Sequence, residues 1–410
     1  NTKSSGNYAF LTQAPVSRVI LTMAVPTIVS MLVTCLYTIV DTYFVGQLNT
    51  QSTAAVGIAF SLMCLIQAIG SFFGHGSGSY MSRELGAQRI GNATTMAATG
   101  LVYSVVAGLL IAAAGFFYAR SLSLWLGSTP TILPFTQQYL SIILLGSPFQ
   151  IASFTLNSQL RMQGNTRHAM WGIVSGVLLN VVLDPLLIFG LGLGLRGAAL
   201  ATVLGQAVSF LILFIMCRRL RSTGVGMRLG SFSPRWHYVR EIVYGGSPSL
   251  SRQGLASVSV VLLNLAAAAY GDAAVAAMSI VSRVTMFVMS VIVGLGQGFQ
   301  PFCGYCYGAG LYDRLRQGFW FTVRTGFLFL YIMTGNMMLQ TTRKPLRANV
   351  LSSARKGLVF IPFILILPHL FGLMGVAMCQ AVCDVVTFLI AIPIVRSAFR
   401  EMRHQQANDV

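Results

Sequence analysis

Carboxylates are scarce in this chain, with nine Asp and Glu in 410 residues against 27 Lys and Arg. Charge of either sign is scarce as well, at 9% of residues, beside 55% hydrophobic residues and a mean hydropathy of +0.72. These shortages exclude a soluble domain of any size, and a soluble catalytic domain with it. The five histidines, at positions 75, 168, 237, 369 and 404, are scattered and accompanied by neither paired acids nor metal-ligand spacing. That argues against an integral membrane enzyme. Seven cysteines lie in or beside apolar runs; Cys303 and Cys306 have a zinc-like spacing but no second pair, so they are read as small helix-packing residues.

What is abundant is apolar sequence long enough to cross a bilayer, which takes about 20 mainly apolar residues per helix. Such runs occupy about 19–45, 54–79, 94–118, 135–156, 169–190, 197–217, 244–269, 276–303 and 318–332, with two more near 357–371 and 375–395. The first is too long for a signal-peptide core and has no cleavage pattern after it, so it is read as a retained helix.

A net charge of +18 would suggest nucleic acid in a soluble protein, but here its placement describes topology. Twenty-two of the 27 basic residues fall in one alternating set of segments, from Lys3 and Arg18 through Arg83, Arg89, Arg161 and Arg167 to Arg396, Arg400 and Arg403. The opposite loops hold only Arg120 and Arg196. The positive-inside rule then places both termini in the cytoplasm, which demands an even number of spans.

The chain also repeats itself at a fixed offset of 222 residues: Pro26 matches Pro248, Gly74 and Gly76 match Gly296 and Gly298, and Gly86 matches Gly308. Both copies start inside, so the expected fold is an all-α polytopic membrane protein of twelve helices, in two six-helix lobes related by a parallel repeat. The expected boundaries are 1–217 for the N-lobe, 218–242 for a basic cytoplasmic linker and 243–410 for the C-lobe. Beyond Gly308 the register breaks. Gly86 to Gln163 takes 77 residues and the apparent counterpart, Gly308 to Gln340, takes 32, a shortfall of 45. The end of the ninth helix, a loop and most of the tenth are expected to be missing, with the join near Tyr331–Gly335. The expectation is a segment left out of this sequence, not an evolutionary deletion, and a continuous chain with an ordinary loop there would refute it.

Against this background Asp41 and Asp184 stand inside apolar spans. A carboxylate at bilayer depth costs about 2.5–3.5 kcal/mol even on lenient scales, so such residues line polar cavities and mark ion or proton pathways. Tyr37 lies four residues before Asp41, and Asn180 four before Asp184; such pairs share a helix face. Pro185 removes a backbone donor and loosens the ladder beside them. Two carboxylates, an amide and a phenol make a proton or sodium site, and carboxylates brought close in a poorly hydrated pocket resist joint ionisation. The repeat places Leu263 opposite Asp41 and a position near Pro362 opposite Asp184, so the fold itself does not require acids there. Asp384, opposite Gln206, reads equally as helix glue or as function. Among the C-lobe bases, Arg324 reads as snorkelling from a helix end, Arg283 as the partner of a helix C-terminus or of an anionic group in the cavity, and Arg252 stays open.

The segments "AVPTIVSMLVTCLYTIVDTYFVGQL", "GSGSYMSRELGAQR", "MQGNTRHAM" and "GLGQGFQPFCGYCYGAG" together resemble the multidrug and toxic compound extrusion (MATE) transporters, in the DinF-like branch. The resemblance implies twelve helices around a central cleft and alternating access driven by inward flow of protons or sodium. Carried over, the cation site, including a sodium site if sodium is the ion, is Asp41, Asn180, Asp184 and Thr202, with Tyr37 and Asn157 nearby and Pro26 where the first helix bends. Asn157, Gln206 and Arg283 are the expected cavity residues. The branch with C-lobe acids fits poorly, since Ala256 stands where that branch has a glutamate. The implied function is export of amphipathic, cationic organic compounds competing with the coupling ion for the carboxylates. The alternative is a flippase or exporter of anionic or lipid-linked cargo. No cofactor beyond the coupling ion, no nucleic acid and no enzyme activity is expected. The expected setting is the inner membrane of a prokaryote, as a monomer.

Overall fold

The computed structural model describes residues 6–219 and 225–408, apart from the side chains of 264, 268, 272–277, 279, 280, 327, 328 and 408. Its regular structure among the described residues is entirely helical. A short α1 (Gly6–Gln13) precedes α2 (Val16–Gly46), α3 (Thr50–Gly86), α4 (Ile90–Trp125), α5 (Leu133–Leu145), α6 (Ser147–Met162), α7 (Thr166–Pro185) and α8 (Leu195–Arg219). The second half follows as α9 (Trp236–Ala268), α10 (Asp272–Gly308), α11 (Tyr312–Thr341), α12 (Pro345–Ser353), α13 (Phe360–Phe371) and α14 (Leu373–Asn408).

Polar residues fit these apolar helices because the backbone satisfies them. Along α2, Thr27, Ser30, Thr34 and Thr38 each donate to the carbonyl one turn back, at 2.8–3.1 Å. Pro26 sits inside α2, which continues through it. Asn49 caps α3 by accepting from the Ser52 N–H at 2.6 Å. α5 and α6 form one span bent by 49° at Gly146. Pro185 denies the Val181 carbonyl its helical donor, and a π-turn, Leu186–Gly190, follows directly.

Nine described helices are long and apolar enough to cross a membrane, and the bent α5/α6 pair makes a tenth span. α11 is different. Phe319 and Tyr331 stand twelve residues apart, about 18 Å along a straight helix, yet their ring centroids are 5.5 Å apart. Gly318 packs on Phe302 of α10, while Met337 packs on Gly296 and Thr341 on Gly304, so the first half of α11 runs antiparallel to α10 and the second half parallel to it. α11 therefore folds back near residue 326 and returns to the face it left. The chain is continuous there, and helix meets helix with no loop between them.

The repeat measures what the fold-back replaces. Asn157 donates to the Ala169 carbonyl at 2.8 Å and Asn336 to the Ala348 carbonyl at 3.1 Å, two equivalent bonds at an offset of 179. Gly164 and Arg343, both with positive φ, share that offset, whereas Gln88 and Gly310, also positive, keep 222. The difference is 43 residues, so the sequence match of Gln163 to Gln340 is two residues out of register. By the same offset the counterpart of α5 is absent and that of α6 is present as the second half of α11. The reversal lies a few residues before the expected join, and half of the tenth helix is retained.

Ten spans plus a hairpin returning to its own side keep the parity even. Asn7 donates to the Gln163 carbonyl at 3.2 Å, Arg314 to the Leu11 carbonyl at 3.2 Å and Gln406 to Asp313 at 3.4 Å, which gathers both ends of the chain at the face carrying the basic clusters. The lobes interlock in the half of the molecule nearest that face. Gly294 and Gly298 of α10 lie against the α2 backbone at Ile28 and Ala24, where a Cβ on Gly294 would stand 2.7 Å from the Ile28 Cα. Away from that face the lobes part, and Val281, Val284, Val288 and Val291 of α10 are all exposed.

Candidate functional site

Thr202 of α8 organises the first site. Its hydroxyl donates to the Ala198 carbonyl at 3.1 Å, which leaves its oxygen to accept from Asn180 Nδ2 of α7 and from the Tyr37 hydroxyl of α2, each at 3.4 Å. Asp41, Asn180, Asp184 and Thr202 are all buried, Asp184 completely. The Asp41 and Asp184 carboxyls lie within electrostatic reach of each other, so each disfavours ionisation of the other. Asp41 Oδ1, Asn180 Oδ1 and both Asp184 oxygens are buried with no hydrogen-bond partner. Four unsatisfied oxygens on neighbouring helices are suited to a proton or a hard cation such as sodium.

The other described carboxylates are occupied. Glu84 faces Arg89 and Asn92, Glu241 bonds Arg83 and Arg343, Asp313 accepts from Gln406, Asp384 from Arg355, and Glu401 from Lys344 and Arg347. Of the seven carboxylates with described side chains, Asp41 and Asp184 alone have no basic or amide partner. Asp384, open on sequence, takes the geometry of helix glue: Arg355 at 2.6 Å and Gln380 at 3.2 Å.

A pocket of about 50 Å³ adjoins this site, lined by Tyr37, Asn180, Thr202 and Gln206 among others. Thr34, Phe154 and Ile173 form a wall shared with a much larger cavity of about 490 Å³ between the lobes. Asn157 lines the larger cavity and Gln206 the smaller. Arg283 lines neither and is exposed on α10. Arg324 is exposed two residues before the reversal and not at a helix end, which removes the basis for reading it as an end-snorkelling residue. Neither aspartate lines the larger cavity.

Three residues escaped the sequence reading. Tyr139 of α5 is fully buried within electrostatic reach of Asp41 and Asp184; its signal was a phenol inside an apolar run. Arg161, counted as a loop residue for topology, is 3% exposed and lines the larger cavity, donating to Gln297 Oε1 at 2.8 Å and His75 Nε2 at 3.2 Å. His75 is the third, held by its Nδ1–H on the Ser71 carbonyl at 3.0 Å.

Two helical lobes around a central cavity, beside a buried and unpaired carboxylate pair, define a membrane transporter and not an enzyme. The MatE family profile matches residues 26–186 and 248–395, about three quarters of the chain, and the chain belongs to that family. It is 27% identical to the multidrug export protein MepA of Staphylococcus haemolyticus (strain JCSC1435) over 431 residues, covering 95% of each chain. It is 30% identical to MepA of Staphylococcus saprophyticus over 283 residues, covering 69% of this chain and 62% of that one. Since 95% of 410 residues is about 390, the first alignment holds about 40 positions without a residue in this chain, in keeping with the 43-residue difference in the repeat. Among solved structures it superposes on a MATE in the bent conformation at a TM-score of 0.92 and 24% identity, covering 99% of this chain and 100% of the other. On the outward-facing conformation of a multidrug resistance MATE family transporter the TM-score is 0.91 at 24% identity, covering 98% and 99%. The fold is thus the twelve-helix, two-lobed MATE plan, with helices nine and ten shortened to one hairpin.

Proposed function

We propose that the chain is a secondary antiporter exporting amphipathic organic compounds in exchange for protons or sodium. The observation that carries the reading is the unpaired pair Asp41 and Asp184, four of whose site's oxygens have no partner. The named activity of the MepA relatives, multidrug export, supports the cargo class. By the positive-inside rule the basic face is cytoplasmic, so the cleft opens outward, in the inner membrane of a prokaryote and as a monomer.

In the outward state a proton or sodium ion neutralises the aspartate site. Neutralisation lets α2 repack around Pro26, and because Thr34 belongs to both pocket walls, that movement changes the shape of the cargo cavity. Coupling passes through this shared wall, and the ion drives release by binding one state more tightly than the other. Anionic cargo, the second reading, is favoured by one observation: the larger cavity is lined by Arg161 and Arg252 and by no carboxylate with a described side chain.

The test is efflux of rhodamine 6G, an amphipathic cation, and of taurocholate, an amphipathic anion, from proteoliposomes under a proton or a sodium gradient imposed separately. Efflux of either probe driven by one gradient and lost in Asp41→Asn and Asp184→Asn supports coupled antiport and names the ion. Transport unchanged in both variants overturns the carboxylate site.

A further inference from the structure

We propose that the central cavity binds the anionic head of an amphipathic organic anion between Arg161 and Arg252; this deepens the export reading by naming a class of cargo. Arg161 reaches from the N-lobe across to Gln297 of the C-lobe. Each of its partners is neutral. Gln297 offers a carbonyl oxygen, and His75, whose Nδ1–H is committed to the Ser71 carbonyl, offers Nε2 as an acceptor. The guanidinium charge therefore has no counter-charge, and its Nε is buried without any partner. Arg252 enters from α9 of the opposite lobe, within electrostatic reach of both His75 and Arg161, and its buried Nη1 also has no partner.

Two like charges facing each other in a poorly hydrated cavity are unfavourable unless an anion lies between them. No described carboxylate of this chain can serve, because none lines the cavity and all but Asp41 and Asp184 are engaged elsewhere. Guanidinium groups match carboxylate, sulfonate and phosphate heads through paired N–H donors. Beside them Phe60, Met31, Phe154 and Val261 offer an apolar wall for a hydrophobic tail, and about 490 Å³ is the size of a site for a drug-sized molecule. Since the two arginines belong to different lobes, a head group bridging them is held only while the lobes keep both within its reach.

The test uses the full chain in nanodiscs and saturation binding of tritiated taurocholate, with tritiated tetraphenylphosphonium as the cationic counterpart. Taurocholate is expected to bind saturably in neutral phosphatidylcholine discs, about tenfold or more weakly in Arg252→Gln and Arg161→Gln, and at an intermediate level in Arg252→Lys, which keeps the charge but not the paired donors. Arg252 makes no hydrogen bond, so Arg252→Gln keeps the test informative even where Arg161→Gln unfolds. Discs containing phosphatidylglycerol separate the sources: loss of taurocholate binding there makes a lipid head group an occupant of the same site, and unchanged binding makes a free amphipathic anion its ligand. Equal taurocholate binding by wild type and Arg252→Gln, or saturable binding of tetraphenylphosphonium alone, overturns the proposal. Asp41→Asn keeps taurocholate binding while losing gradient-driven transport, so failure of the coupling reading is distinguishable from failure of this one.

Discussion

The hydroxyl of Thr202 makes three hydrogen bonds with one oxygen, so it is the residue whose loss most cleanly tests the ion site. Thr202→Ala removes the acceptor of both Tyr37 and Asn180. A net hydrogen bond is worth about 1 kcal/mol, and losing one or two of them predicts a roughly five- to thirty-fold weaker apparent affinity for the coupling ion. The ion concentration giving half-maximal efflux measures it. Thr202→Ser, which keeps the oxygen, should stay near wild type; a serine variant as weak as alanine would assign the effect to packing. Much of this site was legible beforehand, because a carboxylate in an apolar run is conspicuous and an i, i+4 companion shares its face. Thr202 came only through family resemblance, since a threonine in a membrane helix is ordinary. Arg161 and Tyr139 were not legible as site residues. Spacing places a side chain on a face of its own helix and does not say which other helix covers that face.

Among the elements, the ends of α3, α9 and α11 at the basic face form a lock between the lobes. Glu241 of α9 is 1% exposed, accepts a hydrogen bond from Arg83 of α3 at 2.7 Å and forms an ion pair with Arg343, which follows α11, at 2.6 Å. Arg83 also donates to the Thr341 carbonyl at 2.7 Å. Removing one partner of a buried ion pair leaves the other charge uncompensated and costs about 3–5 kcal/mol. Glu241→Ala should therefore lower the thermal midpoint and loosen the closed end. The measurement is labelling of Ser79→Cys by an impermeant maleimide in a background without the native cysteines. Ser79 is fully buried on α3, so labelling should rise in the Glu241→Ala chain. A lower midpoint with Ser79→Cys still protected would confine Glu241 to a stabilising role. The elements themselves were largely readable, because runs of 20 apolar residues and glycines at a fixed offset survive in sequence. The break between α5 and α6 was not read, and the two-residue error in the C-lobe register came from matching one glutamine to another. Hydrogen bonds from Asn157 and Asn336, not residue identity, set that register.

At the scale of the whole molecule, the fold-back of α11 is poorly matched to a bilayer. Each arm holds about 15 residues, roughly 22 Å of helix, whereas the hydrocarbon core is about 30 Å thick. The reversal therefore lies inside the bilayer, where each unsatisfied backbone group costs several kcal/mol. The absent segment would also cover α10, on one face of which Val281, Val284 and Val288 are 52%, 61% and 55% exposed. Inserting a 43-residue apolar helix–loop–helix between Gly326 and Phe327 should restore two full spans without changing which face holds the termini. We expect the inserted chain to unfold about 5 °C higher in the same detergent, because both the backbone penalty and the uncovered face are removed. A cysteine at Val284, labelled readily in the present chain, should become protected, while the larger cavity and the anion binding proposed for it stay as they are, since no residue of α11 lines it. An inserted chain with the same midpoint and the same Val284→Cys labelling would show that the hairpin is a settled element of this protein, and that lipid alone satisfies the outer half of α10.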